Sequence, residues 1–188
     1  MAERSQQIMS DYRIKKFKSY FTLLDTNKDG FISKEDYEQV AENMAMLSGA
    51  SPEEAEDMLA IAMFWWKNLS ASKGMDAKIP ISEALQNAIR YNSSTSPTIV
   101  SEKSRITHEK IFDLIDRNKD GFISPEELRM YYKSHEVHDE DFIRDIFHRI
   151  DVDGDGLISR EELVTALSAF WLSDDPENGY GFIYDFPQ

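Results

Sequence analysis

Three twelve-residue stretches of this 188-residue chain, at 25–36, 116–127 and 151–162, repeat one arrangement of oxygen-bearing side chains. Positions 1, 3, 5 and 12 carry Asp25, Asn27, Asp29 and Asp36 in the first, Asp116, Asn118, Asp120 and Glu127 in the second, and Asp151, Asp153, Asp155 and Glu162 in the third. A hard divalent cation such as calcium takes six to eight oxygens at about 2.3–2.6 Å, and alternate side chains of a chain wrapped round a point all face that point. Position 6 is glycine each time (Gly30, Gly121 and Gly156), which lets the backbone turn sharply beneath an ion. Position 7 needs to lend only its carbonyl, so Phe31, Phe122 and Leu157 can be apolar there. The serines at position 9 (Ser33, Ser124 and Ser159) stand three residues before the closing acid. They suit a water-mediated ligand and also the Ser-x-x-Glu/Asp spacing that opens a helix, with Pro125 fitting the first helical position. The chemistry expected is calcium coordination at three places; a plain acidic turn has little weight against a pattern repeated three times.

This spacing is that of the EF-hand loop. The closing acids differ, because Asp36 is one methylene shorter than Glu127 and Glu162. A shorter acid reaches the ion with one oxygen or draws its helix inward, and lower coordination suits octahedral Mg²⁺. The first loop is therefore expected to take Ca²⁺ or Mg²⁺, and the other two Ca²⁺. The formal net charge is −14, and three bound Ca²⁺ would bring it to −8. So acidic a chain is repelled by nucleic acid and anionic membranes, and neither is expected as a partner. No catalytic residue is expected. His135-Glu136-Val137-His138 misses the His-Glu-x-x-His zinc spacing and falls in a linker where solvated polar residues belong; His108 and His148 are single histidines on amphipathic helices.

The elements that must position these loops follow from their spacing. The last two loops start 35 residues apart, and the first and next 91 apart, which leaves room for one more unit. Setting Ile79 at position 8 puts Glu83 at position 12, but Ser72, Gly74 and Asp76 at positions 1, 3 and 5 and Ala77 where glycine belongs. That is a second unit with its pairing strand and no ion, or else an ordinary helix–helix loop. Apolar residues spaced three and four apart (Phe17, Phe21, Leu24; Ile111, Phe112, Ile115; Ile143, Phe147, Ile150) place one helix face before each ion loop. Ser51-Pro52-Glu53-Glu54 opens another helix through Ala55, Leu59, Met63 and Trp66. The expected fold is all-α: four EF-hand helix-loop-helix units in two paired lobes packed into one compact globule, the second unit not binding. Its parts are an N-terminal pair over 1–92, a connector over 93–104, a C-terminal pair over 105–172 and an aromatic tail over 173–188. Cysteine is absent, Met1-Ala2-Glu3-Arg4 does not read as a secretory leader, and the longest apolar run, Met58–Trp66, is too short to span a bilayer. A cytoplasmic protein is expected.

Met44, Met46, Met58, Met63 and Met75 lie in the N-terminal half, away from the intact loop pair, so core filling is expected of them rather than a partner groove. No obligate protein partner is inferred. Phe64, Trp65, Trp66 and Trp171 are too many for one small lobe, so the lobes should pack on each other. The tail aromatics Tyr180, Phe182, Tyr184 and Phe186 form either an exposed end or a plug over the interlobe cleft, the plug favoured because a bare aromatic row invites aggregation.

Three intact sites with a silent second one, Asp36 closing the first, and the run Phe170–Pro176 before an aromatic end resemble the sarcoplasmic calcium-binding proteins. They also resemble the related luciferin-binding (coelenterazine-binding) proteins and calcium-regulated photoproteins. The photoproteins have histidine and tyrosine where this chain has Leu167 and Phe182, and end on proline where Gln188 follows here, which argues against light emission. The resemblance implies a Ca²⁺/Mg²⁺ buffer of the sarcoplasmic type first and a calcium-dependent carrier of an aromatic small molecule second. A calcium sensor with a protein partner ranks third. A cavity bounded by Phe64, Trp65, Trp171 and Phe182 would either hold such a molecule or be filled by those side chains.

Overall fold

A computed structural model of the chain describes residues 10–94, 97–176 and 180–185. Among them are eight α-helices: α1 (Asp11–Leu24), α2 (Lys34–Ser48), α3 (Pro52–Leu69), α4 (Ile81–Ser94), α5 (Pro97–Ile115), α6 (Pro125–Ser134), α7 (Glu140–Ile150) and α8 (Arg160–Leu172). Four short strands, β1 (Phe31–Ser33), β2 (Lys78–Pro80), β3 (Phe122–Ile123) and β4 (Ile158–Ser159), pair two by two. The connector, whose polar sequence fits either a flexible linker or a partly helical one toward Val100, is helical where it is described, α4 running to Ser94 and α5 starting at Pro97; residues 95–96 of it lie outside the described residues.

Strand register identifies the four units. In the C-terminal pair Ile123 stands opposite Ile158, and in the N-terminal pair Ile32 stands opposite Ile79, all four fully buried or nearly so. Ile79 is thus a position-8 isoleucine, and the segment before it is a second helix-loop-helix unit. Helix α3 and the exiting helices of the first, third and fourth units begin at the serines where the sequence places them. Ser51, Ser124 and Ser159 accept from the backbone N–H three residues on, and in all three boxes the acid at that place bonds back to the serine N–H. At Ser33 the returning acid is Asp36.

The two lobes share one core. Phe17, Phe21 and Leu24 of α1, Phe112 and Ile115 of α5, and Ile143, Phe147 and Ile150 of α7 are buried in it, as their spacing implies. Helix α3 is rotated from expectation: Met58, Ala62 and Trp66 form its buried stripe, whereas Leu59 and Phe64 are exposed. Trp66 is fully buried, packs 5.9 Å from Tyr37 and donates Nε1–H to the Met75 carbonyl at 2.8 Å. Met44 and Met58 fill the core, while Met46 and Met75 face solvent.

Helices α2 and α6, which leave the first and third loops, pack together across the lobes. Asn43 of α2 donates to the Ser134 carbonyl and Glu136 Oε1 at the end of α6, and Ser48 at the end of α2 meets Arg117 just past the end of α5. The C-terminal segment folds back over both lobes as a 3-10 turn, Tyr180–Tyr184. Tyr184 is buried against Tyr20 and Phe170, and Tyr132 Oη donates to the Ile183 carbonyl at 2.8 Å. Phe182 is half-buried under the Arg149 guanidinium, 3.5 Å from its ring centre. Phe186 lies outside the described residues. From α1, Arg13 caps the Trp171 carbonyl and the buried Lys16 ammonium caps the Ser173 carbonyl, tying the start of the first unit to the end of the fourth.

Candidate metal centres

The three loops fold to one plan. Backbone at position 4 is left-handed (Lys28 φ 59°, Lys119 φ 57°, Gly154 φ 72°), and position 6 is left-handed glycine (Gly30 85°, Gly121 89°, Gly156 88°). These two reversals bring the position-1 carboxylate over the amide of position 6. Asp25, Asp116 and Asp151 accept from Gly30, Gly121 and Gly156 at 2.9, 3.0 and 3.1 Å. Position 3 accepts from position 5, and position 5 from position 7, so each ligand side chain is oriented by the loop's own N–H groups.

The closing acid works in the same way in every loop. One oxygen of Asp36, Glu127 and Glu162 accepts from the N–H and Oγ–H of the position-9 serine, at 2.8 and 2.8, 2.8 and 2.7, and 2.8 and 2.7 Å. The other oxygen reaches across the loop to the N–H groups of positions 2 and 3: Thr26 3.2 and Asn27 3.4, Arg117 3.0 and Asn118 3.4, Val152 2.9 and Asp153 3.4 Å. Asp36 makes these contacts with one methylene fewer, so the first turn of α2 sits closer to its loop. Asp36 is also the most buried acid of the three, at 1 % exposed, and takes an added bond from Thr26 Oγ1 at 3.0 Å. For Glu162, burial pushes the carboxyl pKa up, but the four hydrogen bonds from Ser159, Val152 and Asp153 outweigh this and leave it below the usual carboxylate range.

Calcium suits these residues on two observations. Carboxylate oxygens of Asp151, Asp153 and Asp155 lie within 4.8 Å of one another, about the width of a shell of radius 2.3–2.6 Å, and like charges so placed call for a cation between them. At the third loop, Asp116 Oδ1 is buried with no hydrogen-bond donor among the described residues, a placement that a bound cation relieves. The residues that would hold an ion are Asp25, Asn27, Asp29 and Asp36 with the Phe31 carbonyl; Asp116, Asn118, Asp120 and Glu127 with that of Phe122; and Asp151, Asp153, Asp155 and Glu162 with that of Leu157. The second loop is closed differently. Lys73 Nζ sits 2.6 Å from Glu83 Oε2, so an internal ammonium holds the position-12 acid. Composition shows Ser72 and Gly74 in ligand places, but only the fold shows the lysine paired with the position-12 acid.

Between the lobes the structure corrects the expected cavity. A space of about 70 Å³ lies among Tyr20, Tyr37, Trp65, Tyr131, His135 and Trp171. Trp65 and Trp171 line it as expected, but Phe64 and Phe182 do not. Phe64 faces a separate groove under Lys110, whose ammonium lies 5.3 Å from the ring, and Phe182 lies under Arg149. His135 is likewise not the solvated linker residue expected. It is 8 % exposed, packs 4.7 Å from Tyr131 and bonds the Tyr131 carbonyl, and burial lowers its pKa to about 4. His138 is exposed and pairs with Glu136. Nothing in the spacing of His135 marks it for burial; the turn that ends α6 carries it inward. No helix of the described residues is long and apolar enough to cross a membrane.

The sequence profile of the EF-hand domain pair matches residues 107–168, and a single EF-hand profile matches 17–41. The luciferin-binding protein of Renilla reniformis is 29% identical over 163 residues, spanning 85% of each chain. A sarcoplasmic calcium-binding protein of Perinereis vancaurica tetradentata is 30% identical over 127 residues, covering 65% of this chain and 69% of that protein. Among solved structures, the calcium-loaded apo form of the coelenterazine-binding protein of Renilla muelleri superposes with a TM-score of 0.75 at 26% identity, covering 91% of this chain and 94% of that one.

Proposed function

The chain belongs to the EF-hand family of calcium-binding proteins, and from that premise we propose that it is a cytosolic Ca²⁺/Mg²⁺ buffer with three ion sites. One observation carries this choice: the aromatic space in the interlobe core is about 70 Å³, far below the ~300–1,000 Å³ of small-molecule pockets. The larger space between α3 and α5, about 420 Å³, is a more open groove lined by Glu54, Asp57, Lys110 and Arg117 as well as Met58 and Phe64. Among the described residues the methionines are also not gathered into an open groove of the kind a sensor presents, since Met44 and Met58 are buried and Met46 and Met75 are exposed. In a buffer the ions stabilise a shape the protein already has. Sites 3 and 4, with glutamate closures, take Ca²⁺; site 1, with the shorter Asp36, takes Ca²⁺ or Mg²⁺.

A second function is favoured by what lines the interlobe space. Five aromatic residues around it (Tyr20, Tyr37, Trp65, Tyr131 and Trp171), each buried or mostly buried, with His135, are the lining an aromatic molecule would use, and the Renilla reniformis relative is a luciferin-binding protein. A carrier would widen that space when the ions leave. Coelenterazine added to the purified protein, with and without Ca²⁺, separates the two by absorbance and tryptophan quenching. The buffer predicts no stoichiometric binding in either state; tight binding in the calcium-free state, lost on adding Ca²⁺, overturns the buffer in favour of the carrier.

A further inference from the structure

Arg117 occupies position 2 of the third loop, between the ligand residues Asp116 and Asn118. Its backbone N–H is held by Glu127 Oε1 at 3.0 Å, the acid that closes on the ion. Its side chain leaves the loop and enters the other lobe. Nη1 donates to Ser48 Oγ at 2.6 Å and lies 3.8 Å from Met58 Sδ, while Nη2 is 3.7 Å from Glu54 of α3. Ser48 is the last residue of α2, and its hydroxyl is fixed in turn on the Met44 carbonyl at 2.6 Å. Glu54 is the acid of the capping box that starts α3. One guanidinium therefore grips the end of α2 and the start of α3 from inside an ion loop.

The other end of α2 is built on the first ion loop, where Ser33 caps it and Asp36 in its first turn closes the site. At fifteen residues α2 is a rod of about 22 Å, rigid enough to carry a displacement of one end to the other. We propose that Arg117 couples the third ion site to the first, so that an ion at site 3 raises the affinity of site 1, and by linkage the reverse. An ion at site 3 draws Glu127 and the first residues of the loop together. That fixes the Arg117 backbone, seats its side chain on Ser48 and Glu54, and holds α2 where Asp36 can close. Without the ion, Asp116 Oδ1 and the neighbouring acids have no cation to gather round, and the base of the Arg117 side chain loses its anchor. The link is one-sided in construction. The matching residue of the first loop is Thr26, whose hydroxyl turns back onto its own Asp36 at 3.0 Å.

The amide resonances of Gly30, Gly121 and Gly156, each bonded to the position-1 aspartate of its loop, allow the sites to be titrated one by one by ¹H–¹⁵N NMR. Site-1 Ca²⁺ affinity is measured in the full chain and in Glu127→Gln, which disables site 3, and their ratio is the coupling factor. The expected factor is about fivefold or more, the lower range of measured site–site couplings. Arg117→Met should bring it to about 1 in the same comparison, and Arg117→Lys, which keeps a donor and the charge, should restore part of it. Ser48→Ala removes the receiving hydroxyl without touching any loop, and should lower the factor while leaving unchanged the site-3 affinity measured with site 1 disabled by Asp25→Asn; it decides the matter if Arg117→Met does not fold. A merely structural Arg117 would lower the melting temperature and leave the ratio intact. Absence of coupling in the unmodified chain, or a factor unchanged by Arg117→Met or, where that variant does not fold, by Ser48→Ala, overturns the proposal.

Discussion

Replacing Asp153 by asparagine should make the calcium-free protein more stable while weakening its fourth site. Carboxylate oxygens of Asp151, Asp153 and Asp155 lie within 4.8 Å of one another. Two unit charges at that distance repel by about 1 kcal/mol in water and about 3.5 kcal/mol at an effective dielectric constant of 20. Asp153 and Asp155 are exposed, so the lower figure applies. Removing the Asp153 charge abolishes two of the three pairwise repulsions, about 2 kcal/mol, of which part persists in the unfolded chain because the residues are two apart. A gain of about 1–2 kcal/mol should remain, which for a chain of this size raises the melting temperature by about 2–8 °C. The loop shape should survive, since Asp153 Oδ1 accepts from the Asp155 N–H at 3.2 Å just as Asn27 and Asn118 accept from the same place in their loops at 2.8 and 3.0 Å. Thermal unfolding followed by circular dichroism, in chelator at low ionic strength and again in saturating Ca²⁺, reads both effects. The variant should melt higher than the parent in chelator and gain less from Ca²⁺, and the difference in chelator should shrink at high salt. An unchanged or lower melting temperature in chelator would refute the electrostatic argument.

Asp36→Glu should raise Ca²⁺ affinity at site 1 by about tenfold (~1.4 kcal/mol) and reduce Mg²⁺ competition. The extra methylene enters a place only 1 % exposed, so the calcium-free form should lose about 1–3 kcal/mol; calorimetry with and without Mg²⁺ tests it, and unchanged competition counts against the role given to Asp36. In alkali, burial raises the phenol pKa of Tyr131 to about 12 and those of Tyr20, Tyr132 and Tyr184 well above 10. Stability from these phenols is therefore complete below pH 10 and lost as pH rises through the folded values, and tyrosinate absorbance should appear together with loss of helix rather than before it. In acid, burial lowers the His108 pKa from 6.5 to about 4, its Nδ1 meeting Ser168 Oγ and its Nε2 having no partner among the described residues. The unfolded chain binds the proton first, so stability should fall by up to about 3 kcal/mol from pH 6.5 to 4. His108→Phe should flatten that part of the profile in chelator, and an unaltered slope would show that His108 is not its source.

The ligand pattern could be read from sequence because an ion loop fixes which positions face inward, so Asp, Asn and Gly at set places leave few alternatives. Ile79 gave the register of the second unit for a similar reason, as strand pairing demands an apolar residue opposite Ile32. What stayed hidden depends on side chains that meet across the fold. Lys73 neutralising Glu83, Arg117 reaching Ser48 and Glu54, and the burial of His135 each join positions whose separation carries no periodic signal. Residue type alone points Phe64 and Phe182 toward the interlobe space, but Phe64 is exposed on α3 and Phe182 lies under the Arg149 guanidinium.

Native mass spectrometry of the chain with increasing Ca²⁺ tests the central claim most directly, that three loops bind ions and the second does not. The account requires saturation at three Ca²⁺, falling to two in each of Asp25→Asn, Asp116→Asn and Asp151→Asn and unchanged in Glu83→Gln. Saturation at two or four ions, or loss of an ion in Glu83→Gln, would contradict it.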